Sequence, residues 1–194
     1  MTLKNISQYT IILASNSPRR KELLQSLGFA FEIRTINDVD ESYPEGLSER
    51  NIPLFISKKK AEAYKTTMTD TELLITADTI VCLEGLVMGK PKSDAEAYQM
   101  LHTLSGKTHH VVTGVTITTC NKQKAFSVTS SVTFAQLTDE EINYYISTYK
   151  PFDKAGAYGI QEWIGYIGVE ELQGSFFNVM GLPVQRLYKE LKTF

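Results

Sequence analysis

The sequence predicts an α/β protein in which a mixed sheet is flanked by helices. Segments of strand composition alternate with segments of helical periodicity along most of the chain. Two long β-branched runs, near 109–119 and 125–134, are separated by only a few polar residues and are expected to be antiparallel neighbours. Alternating strands and helices with inserted hairpins favour a mixed sheet covered by helices.

The first third of the chain predicts a strand, a helix and a second strand. TIILAS, residues 10–15, is apolar and β-branched, as buried strands are. Ser17 is placed to cap a helix, Pro18 suits its first position, and Gly28 ends it. Apolar side chains alternate over 29–33, which predicts the second strand.

A polar, acidic loop and a helix are expected next. The loop covers 34–46, and its acidic residues are Asp38, Asp40, Glu41 and Glu45. Asp40 and Glu41 are candidate metal carboxylates, although solvated acidic loops are commoner. The following helix covers about 51–65, with Pro53 in its first turn.

The rest of the chain continues the alternation. Residues 73–91 are strand-rich, with a hairpin turn at Glu84-Gly85. Capping pairs predict two further helices and are Ser93 with Glu96 and Thr138 with Glu141. In the last third, only a short helix from about Pro183 is predicted.

Composition limits the classes of function. The chain has 194 residues, a length that suits one domain. Its formal net charge of -2 disfavours binding of nucleic acid through overall positive charge. An RNA-binding module is also disfavoured, because an RNP-like aromatic strand is missing. We therefore expect no stable nucleic-acid partner.

Cysteine usage and the N-terminus bear on the compartment. Cys82 and Cys120 are expected to be small buried side chains rather than a disulfide framework, which fits a reducing environment. The first residues lack the features of a signal peptide, and no apolar run approaches the ~20 residues that span a bilayer. The sequence therefore predicts a cytoplasmic protein without membrane contact.

A phosphate site is predicted where the first strand turns into the first helix, at Ser15-Asn-Ser-Pro-Arg-Arg. A helix N-terminus has unpaired N–H groups and a positive dipole end, so Arg19 and Arg20 are unfavourable there unless an anion is bound. The planar guanidinium of arginine suits phosphate oxygens. Two solvated arginines are the alternative. The stretch is not a Walker A loop, whose glycines and Gly-Lys-Ser/Thr ending are missing.

A carboxylate and two basic positions add to this site. Asp78 interrupts the apolar strand ADTIV and is a candidate general base or metal ligand; a turn aspartate is the alternative. Lys90, between glycine and proline, predicts a positioned charge on a stiff loop. The run 58–60 is expected to be a solvated face of a helix, and only one of its lysines can point the same way as the apolar stripe.

The segment DKAGAYGIQ, residues 153–161, is a candidate ligand-binding loop. Its glycines allow close approach of the backbone to a ligand, and Gln161 has a donor and an acceptor for the edge of a base. The three histidines, His102, His109 and His110, lack metal-ligand spacing and are expected to be surface or packed residues.

Together these residues predict a pocket with several cations, one or two carboxylates and a polar side chain that can hydrogen-bond the edge of a base. A metal-assisted reaction on a nucleotide polyphosphate needs such a set. Cations hold the phosphates, and carboxylates hold a divalent ion, Mg²⁺ or Mn²⁺, and activate water.

Seven motifs, in chain order, carry a resemblance to a known family: ILASNSPRRKELL, SKKKAEA, TADTIV, GKP, LSGKTHHVVTGV, DKAGAYGIQ and NVMGLP. With them the sequence resembles the Maf-like nucleoside triphosphate pyrophosphatases over nearly its whole length. The resemblance implies one Maf-like domain, residues 1–194, with two lobes around a cleft and a fold shared with the inosine triphosphatase group. It implies hydrolysis between the α- and β-phosphates of a nucleoside triphosphate, and a homodimer.

The resemblance also implies roles for individual residues. Asp78 matches the proton acceptor and, with Glu41 of the acidic loop, would hold the metal ion. The residues that match phosphate-binding positions are Ser15, Arg19, Arg20, Lys60 and Lys90.

Three residues bear on which nucleotide is used. Arg19, Thr79 and Gln161 agree with the subgroup that resembles dTTP and UTP pyrophosphatases, which have a house-cleaning role. The alternatives are a 7-methyl-GTP pyrophosphatase and a nucleotide-binding regulator of cell division without turnover. The retained Asp78 favours an enzyme. The sequence departs from the family at Glu162-Trp163, where relatives have a glycine-rich turn, and Trp163 either packs on the surface or narrows the nucleotide entrance.

Overall fold

A computed structural model describes residues 3–36 and 39–194 of the protein. The helices are α1 (Pro18–Ser26), α2 (Asn51–Tyr64), α3 (Asp94–Leu104), α4 (Asp139–Tyr149), α5 (Trp163–Gly168), α6 (Phe176–Met180) and α7 (Val184–Lys192). The strands are β1 (Thr10–Leu13), β2 (Phe31–Ile33), β3 (Glu72–Leu83), β4 (Leu86–Met88), β5 (Thr108–Thr118), β6 (Gln123–Phe134) and β7 (Val169–Gln173). Of the acidic loop, Asp38 lies outside the described residues.

The sheet is mixed, as predicted. In the described part of the chain it has seven strands in the order β2-β1-β3-β5-β6-β7, with β4 paired to β3. Strand β1 runs parallel to both β2 and β3, so that Ile11 lies opposite Phe31 on one side and Leu73 on the other. Strands β4 and β7 run antiparallel to β3 and β6. The predicted α/β class with a mixed sheet is confirmed.

The chain divides into two compact units, each described by itself. The first unit contains the described residues up to Asp78 together with Thr113–Val128 and Gly181–Phe194. The second unit contains Thr79–Val112 and Thr129–Met180.

In the first unit, helix α2 packs on the face of the sheet formed by β1 and β3. The apolar contacts join Ile12, Ala14, Ala61, Tyr64 and Leu74. A Cβ at Gly114, in β5, would lie 2.3 Å from the carbonyl carbon of Pro53. Strand β5 therefore needs a glycine here, because the first turn of α2 reaches the strand backbone.

Most predicted boundaries agree with the structure within a few residues. Ser17 caps α1, with Pro18 in the first turn, and Thr138 and Glu141 form a complete capping box on α4. Glu84 and Gly85, both with positive φ, form the turn between β3 and β4. This pattern is that of a type I′ hairpin, which suits the twist of the strands.

One expectation was wrong, and one segment had no predicted elements. Cys82 is buried, but Cys120 is exposed, because it lies just beyond the end of β5, where the chain has left the sheet. The last third contains α5, β7 and α6 in addition to the predicted final helix. These elements are five or six residues long, too short for a periodic pattern to appear.

The described helices were also compared with the length of a membrane span. None of those within 3–36 and 39–194 combines sufficient length with sufficient apolar character to cross a bilayer.

Candidate active site

The turn after β1 is organised by two serine hydroxyls. Oγ of Ser15, a buried residue, accepts a hydrogen bond from the Ser17 amide at 3.2 Å. Oγ of Ser17 accepts from the Arg20 amide at 3.4 Å, which caps α1. These bonds close the turn so that Arg19 and Arg20 lie in the first turn of the helix, as the sequence predicted.

Arg20 is anchored to the backbone on two sides. Its Nε donates to the carbonyl oxygen of Gly181 at 2.8 Å, and its Nη1 donates to that of Ala77 at 3.0 Å. Burial lowers the pKa of the Arg20 guanidinium from its ordinary value, while the charge of nearby Asp78 acts in the opposite direction. The guanidinium is therefore a fixed positive charge next to the residue that precedes Asp78.

Lys60 joins the two predicted metal carboxylates. Its Nζ lies 2.8 Å from Asp78 Oδ1 and 2.8 Å from Glu41 Oε1. The side chains of Lys60 and Asp78 are only 15% and 12% exposed, whereas that of Glu41 is 51% exposed. Among the described residues, Lys60 is the one that bonds to the Asp78 carboxylate, through Oδ1. Its Oδ2 makes no hydrogen bond with the described residues.

Buried hydroxyl contacts set the rotation of α2 that brings Lys60 to Asp78. Ser57 Oγ hydrogen-bonds Thr116 Oγ1 of β5 at 2.8 Å, and Thr76 Oγ1 of β3 donates to the Ser57 carbonyl at 2.7 Å. Residues two apart on a strand share a face, as do residues three apart on a helix. Thr76 and Asp78 therefore face α2 together. Lys60 lies three residues after Ser57, on the same strand-facing side of α2.

The other lysines of the run point elsewhere. Lys58 is exposed, and Lys59 Nζ bonds Asp40 Oδ2 at 2.6 Å and the Ser42 carbonyl at 3.2 Å. The hydrogen bond from Lys59 holds the pKa of the Asp40 carboxyl well below its usual range. Consecutive lysines of α2 thus hold consecutive acids of the loop, Lys59 with Asp40 and Lys60 with Glu41.

Three predicted site residues belong to the second unit. Thr79 directly follows Asp78 in β3 and is half-buried. Lys90 is exposed in the loop after β4 and makes no hydrogen bond or ion pair with the described residues. Gln161 is half-buried, and its Oε1 is inaccessible to solvent without a hydrogen-bond partner among the described residues.

Near Gln161 the structure contains a polar cluster that the sequence did not predict. Lys154 Nζ lies 2.7 Å from Asp153 Oδ1 and 3.1 Å from Glu162 Oε1. Tyr145 donates a short hydrogen bond to the other oxygen of Glu162. Lys154 lies in the predicted ligand-binding loop 153–161, but no signal in the sequence marks it or its pairing with Glu162. Trp163 packs edge-on against Tyr144 of α4, with ring centroids 4.8 Å apart.

His109 is packed, as expected. It is buried between Phe134 and Tyr158, and its Nε2 hydrogen-bonds the Tyr158 hydroxyl at 2.7 Å. Burial lowers its pKa to about 4. A neutral, packed imidazole in this position is a structural residue.

The carboxylates of the candidate site are the candidate ligands for a divalent cation. Within the described residues, no three His, Cys, Asp or Glu side chains are grouped to hold a metal. Asp78 and Glu41 nevertheless approach one cationic group, the Lys60 ammonium, from two sides. Mg²⁺ is commonly held by one or two carboxylates together with substrate phosphates and waters. The two carboxylates therefore fit a cation that arrives with a polyphosphate.

Comparison with known families identifies the chain. The family model described as Maf-like protein matches residues 10–194. The chain belongs to the Maf-like family. Three curated relatives of this Maf-like protein carry the name dTTP/UTP pyrophosphatase. They come from Parabacteroides distasonis (63% identity; 99% of this chain, 100% of the relative), Phocaeicola vulgatus (62%; 98% of each) and Porphyromonas gingivalis (55%; 99% and 98%).

A solved structure shares the fold. A HAM1 protein from Coxiella burnetii superposes with a TM-score of 0.50 at 15% identity and covers 96% of this chain and 100% of that one. At this identity the likeness concerns the fold alone.

Proposed function

We propose that this Maf-like protein is a nucleoside triphosphate pyrophosphatase that hydrolyses dTTP and UTP to the nucleoside monophosphate and pyrophosphate. The observation that carries the proposal is the Lys60 ammonium, which bonds to Asp78 of β3 and to Glu41 of the acidic loop. Arg20 of the Ser15–Arg20 turn bonds to the carbonyl of Ala77, the residue before Asp78. Relatives that are 55–63% identical over nearly the whole chain and carry that activity in their names support the choice of substrate.

In the proposed reaction, Asp78 accepts a proton from water. The water oxygen forms a bond to the α-phosphorus, and the bond from that phosphorus to the α,β-bridging oxygen breaks. Pyrophosphate leaves with the bonding electron pair. Asp78 and Glu41 would hold a divalent cation, Mg²⁺ or Mn²⁺, which neutralises phosphate charge when bound.

The basic residues are proposed to bind the phosphate groups of the nucleotide. Phosphoryl transfer depends mainly on positioning and on electrostatic stabilisation of the leaving group. Ser15 and the four cations Arg19, Arg20, Lys60 and Lys90 are assigned to the phosphate oxygens. Thr79 and Gln161 are assigned to the pyrimidine edge, and Arg19 also contributes to specificity.

Product analysis tests the reaction. The purified protein is incubated with Mg²⁺, or with Mn²⁺, and each of dTTP, UTP, CTP, ATP, GTP and 7-methyl-GTP in ¹⁸O-water. Attack at the α-phosphorus places ¹⁸O in the monophosphate, whereas label in pyrophosphate would contradict the mechanism. Turnover mainly of 7-methyl-GTP would overturn the pyrimidine assignment, and no turnover of any nucleotide would favour a binding regulator.

The role of Asp78 has a matched test. Asp78→Asn keeps the size of the side chain and a hydrogen-bonding oxygen but removes the base, so kcat should fall by about 100-fold or more. Asp70→Asn, an exposed position, is the control. A near-normal rate in Asp78→Asn, with normal folding by circular dichroism, would exclude Asp78 as the proton acceptor.

We further propose that residues 1–194 act as one catalytic domain in the cytoplasm and assemble as a homodimer. Light scattering coupled to gel filtration tests the assembly: a mass of two chains supports it, and a mass of one chain contradicts it.

A further inference from the structure

The second unit contains a buried polar network around the turn that carries Gln161. Tyr145, which is fully buried, donates a short hydrogen bond to Glu162 Oε2, and its hydroxyl accepts one from the Gly159 amide at 3.0 Å. The opposite carboxylate oxygen of Glu162 lies 3.1 Å from Lys154 Nζ. Two side chains from separate segments, Tyr145 and Lys154, therefore meet at the Glu162 carboxylate.

The network contains one cation and two carboxylates. The Lys154 side chain is 8% exposed and its ammonium is paired with both Asp153 and Glu162. Breaking such a pair leaves the remaining charge buried without a partner, which is strongly unfavourable. The network is therefore suited to fix the position of the backbone segment that it contacts.

What the network holds is the turn from Gly159 to Glu162. The Gly159 amide is bonded to Tyr145, and the Glu162 amide donates to the Gly159 carbonyl at 2.9 Å. Glu162 is bonded through its side chain as well, so both ends of the turn are anchored. Gln161 lies within this turn, next to the clamped Glu162.

Packing joins the network directly to the side chain of Gln161. A Cβ at Gly159 would lie 2.9 Å from Glu162 Cδ and 3.0 Å from both Lys154 Cε and Gln161 Nε2. The glutamine amide, the glutamate carboxylate and the lysine stem thus surround one glycine. A shift of Glu162 or Lys154 would change the space available to the Gln161 amide.

The Gln161 amide has an unused acceptor. Its Oε1 is buried and has no hydrogen-bond partner among the described residues. A buried acceptor without a donor is unfavourable, and a ligand N–H removes that penalty. Uracil and thymine carry an N–H at ring position 3, whereas cytosine carries a lone pair there. An oriented amide oxygen would accept from the first two bases and repel the third.

We propose that Tyr145, Glu162 and Lys154 are positioning residues that orient the Gln161 amide for the imide edge of uracil or thymine. The proposal rests on the function proposed above. It assigns these three side chains an effect on the choice of base and none on the reacting phosphate.

Tyr145→Phe is the primary variant. It removes one hydroxyl, and with it both hydrogen bonds, while keeping the ring that stacks on Tyr149 at 5.1 Å. The kcat/KM ratio for UTP over CTP should fall about tenfold or more, mainly through a higher KM for UTP. A ratio does not depend on the fraction of folded protein, so a loss of stability alone leaves it unchanged.

Two further variants sharpen the test. Glu162→Gln retains an oxygen that can accept from Tyr145 and should keep more of the discrimination than Glu162→Ala. Glu170→Ala removes an exposed carboxylate from β7 and should keep the wild-type ratio. Equal ratios in wild type, Tyr145→Phe and Glu162→Ala would overturn the proposal, as would a wild-type ratio near one.

A binding measurement separates this proposal from the proposed reaction. Dissociation constants of UTP and CTP are measured by calorimetry in EDTA, where turnover is not required. A preference for UTP that weakens in Tyr145→Phe supports the positioning role even if the wild type releases no pyrophosphate, a result that would overturn only the reaction. An unchanged preference in Tyr145→Phe overturns the positioning role even if turnover is normal.

Discussion

At the scale of single residues, Lys60 shows how position on a helix decides the contacts of a side chain. It is one of three consecutive lysines, yet it is the one whose ammonium contacts both Asp78 and Glu41. Its neighbours bind the acidic loop or face solvent because successive helical residues point about 100° apart. Chemically identical side chains in one run therefore have different roles.

Replacing either Lys60 or Lys58 by methionine gives a matched pair of variants. Lys60→Met should lower kcat/KM for UTP by about 100-fold, because it removes a charge next to the leaving group and leaves Asp78 and Glu41 without their shared partner. Lys58→Met, at an exposed position two residues away, should retain nearly normal activity. Steady-state pyrophosphate release measures both, and equal losses would show that the run acts only through its overall charge.

His109 predicts how stability depends on pH. Its pKa is about 4 in the folded protein because of burial, compared with an ordinary value of 6.5. Between these values the unfolded chain binds a proton that the folded chain does not, so the free energy of unfolding should fall with decreasing pH, by up to about 3 kcal/mol from this residue.

Urea unfolding from pH 7 to pH 4 measures this effect. His109→Gln cannot titrate and keeps a hydrogen-bonding group for Tyr158, so its stability should depend less on pH in this window. His110→Gln, at an exposed position, should retain the wild-type dependence. The same slope in all three proteins would contradict the assignment.

At the scale of elements, helix α2 decides where the site residues meet. Ser57 bonds to β3 and β5, and these contacts orient the face that carries Lys60. Gly114 permits the close approach, since its position on β5 leaves no room for a Cβ beside Pro53. The contact between helix and strand thus determines both packing and chemistry.

Gly114→Ala should destabilise the protein. The added methyl would lie 2.3 Å from backbone atoms that cannot rotate away, and overpacking of this kind costs about 1–3 kcal/mol. Gly89→Ala is the control, because a Cβ there meets no atom within 4 Å. Thermal unfolding compares the two variants, and an unchanged melting temperature in Gly114→Ala would show that α2 is not tightly seated on β5.

At the scale of the whole molecule, the net charge of -2 is slightly negative, although the first unit places the cations Arg20 and Lys60 near Asp78. The average charge therefore does not exclude an anionic ligand, and the proposed phosphate site predicts a local positive field that attracts a polyphosphate. Interactions of this kind weaken as salt is added.

The KM for UTP should consequently rise several-fold between low and 0.3 M salt, with a smaller change in kcat. The inhibition constant of uridine, which has no phosphate, should stay nearly constant and serves as the control. A KM that is independent of salt would contradict a binding site dominated by Arg19, Arg20, Lys60 and Lys90.

Much of the fold was predictable because its signals are local. The capping residues Ser17 and Thr138 and the positive-φ turn at Glu84-Gly85 are read from a few adjacent residues. The elements α5, β7 and α6 were missed since such short segments are stabilised by tertiary packing rather than by their own periodicity. Cys120 was misplaced because a pattern cannot show the residue at which a strand leaves the sheet.

From local patterns alone follow the α/β class, the capped helix after β1 and the candidate residues from Ser15 to Gln161. Tertiary structure decided which of them meet: Lys60 rather than Lys58 pairs with Asp78, Arg20 is held by two backbone carbonyls, and Glu162 is clamped by Tyr145 and Lys154. The physical reason is one of distance along the chain. Caps, turns and alternation depend on neighbours within about four residues, whereas contacts across many residues depend on how helices pack against strands.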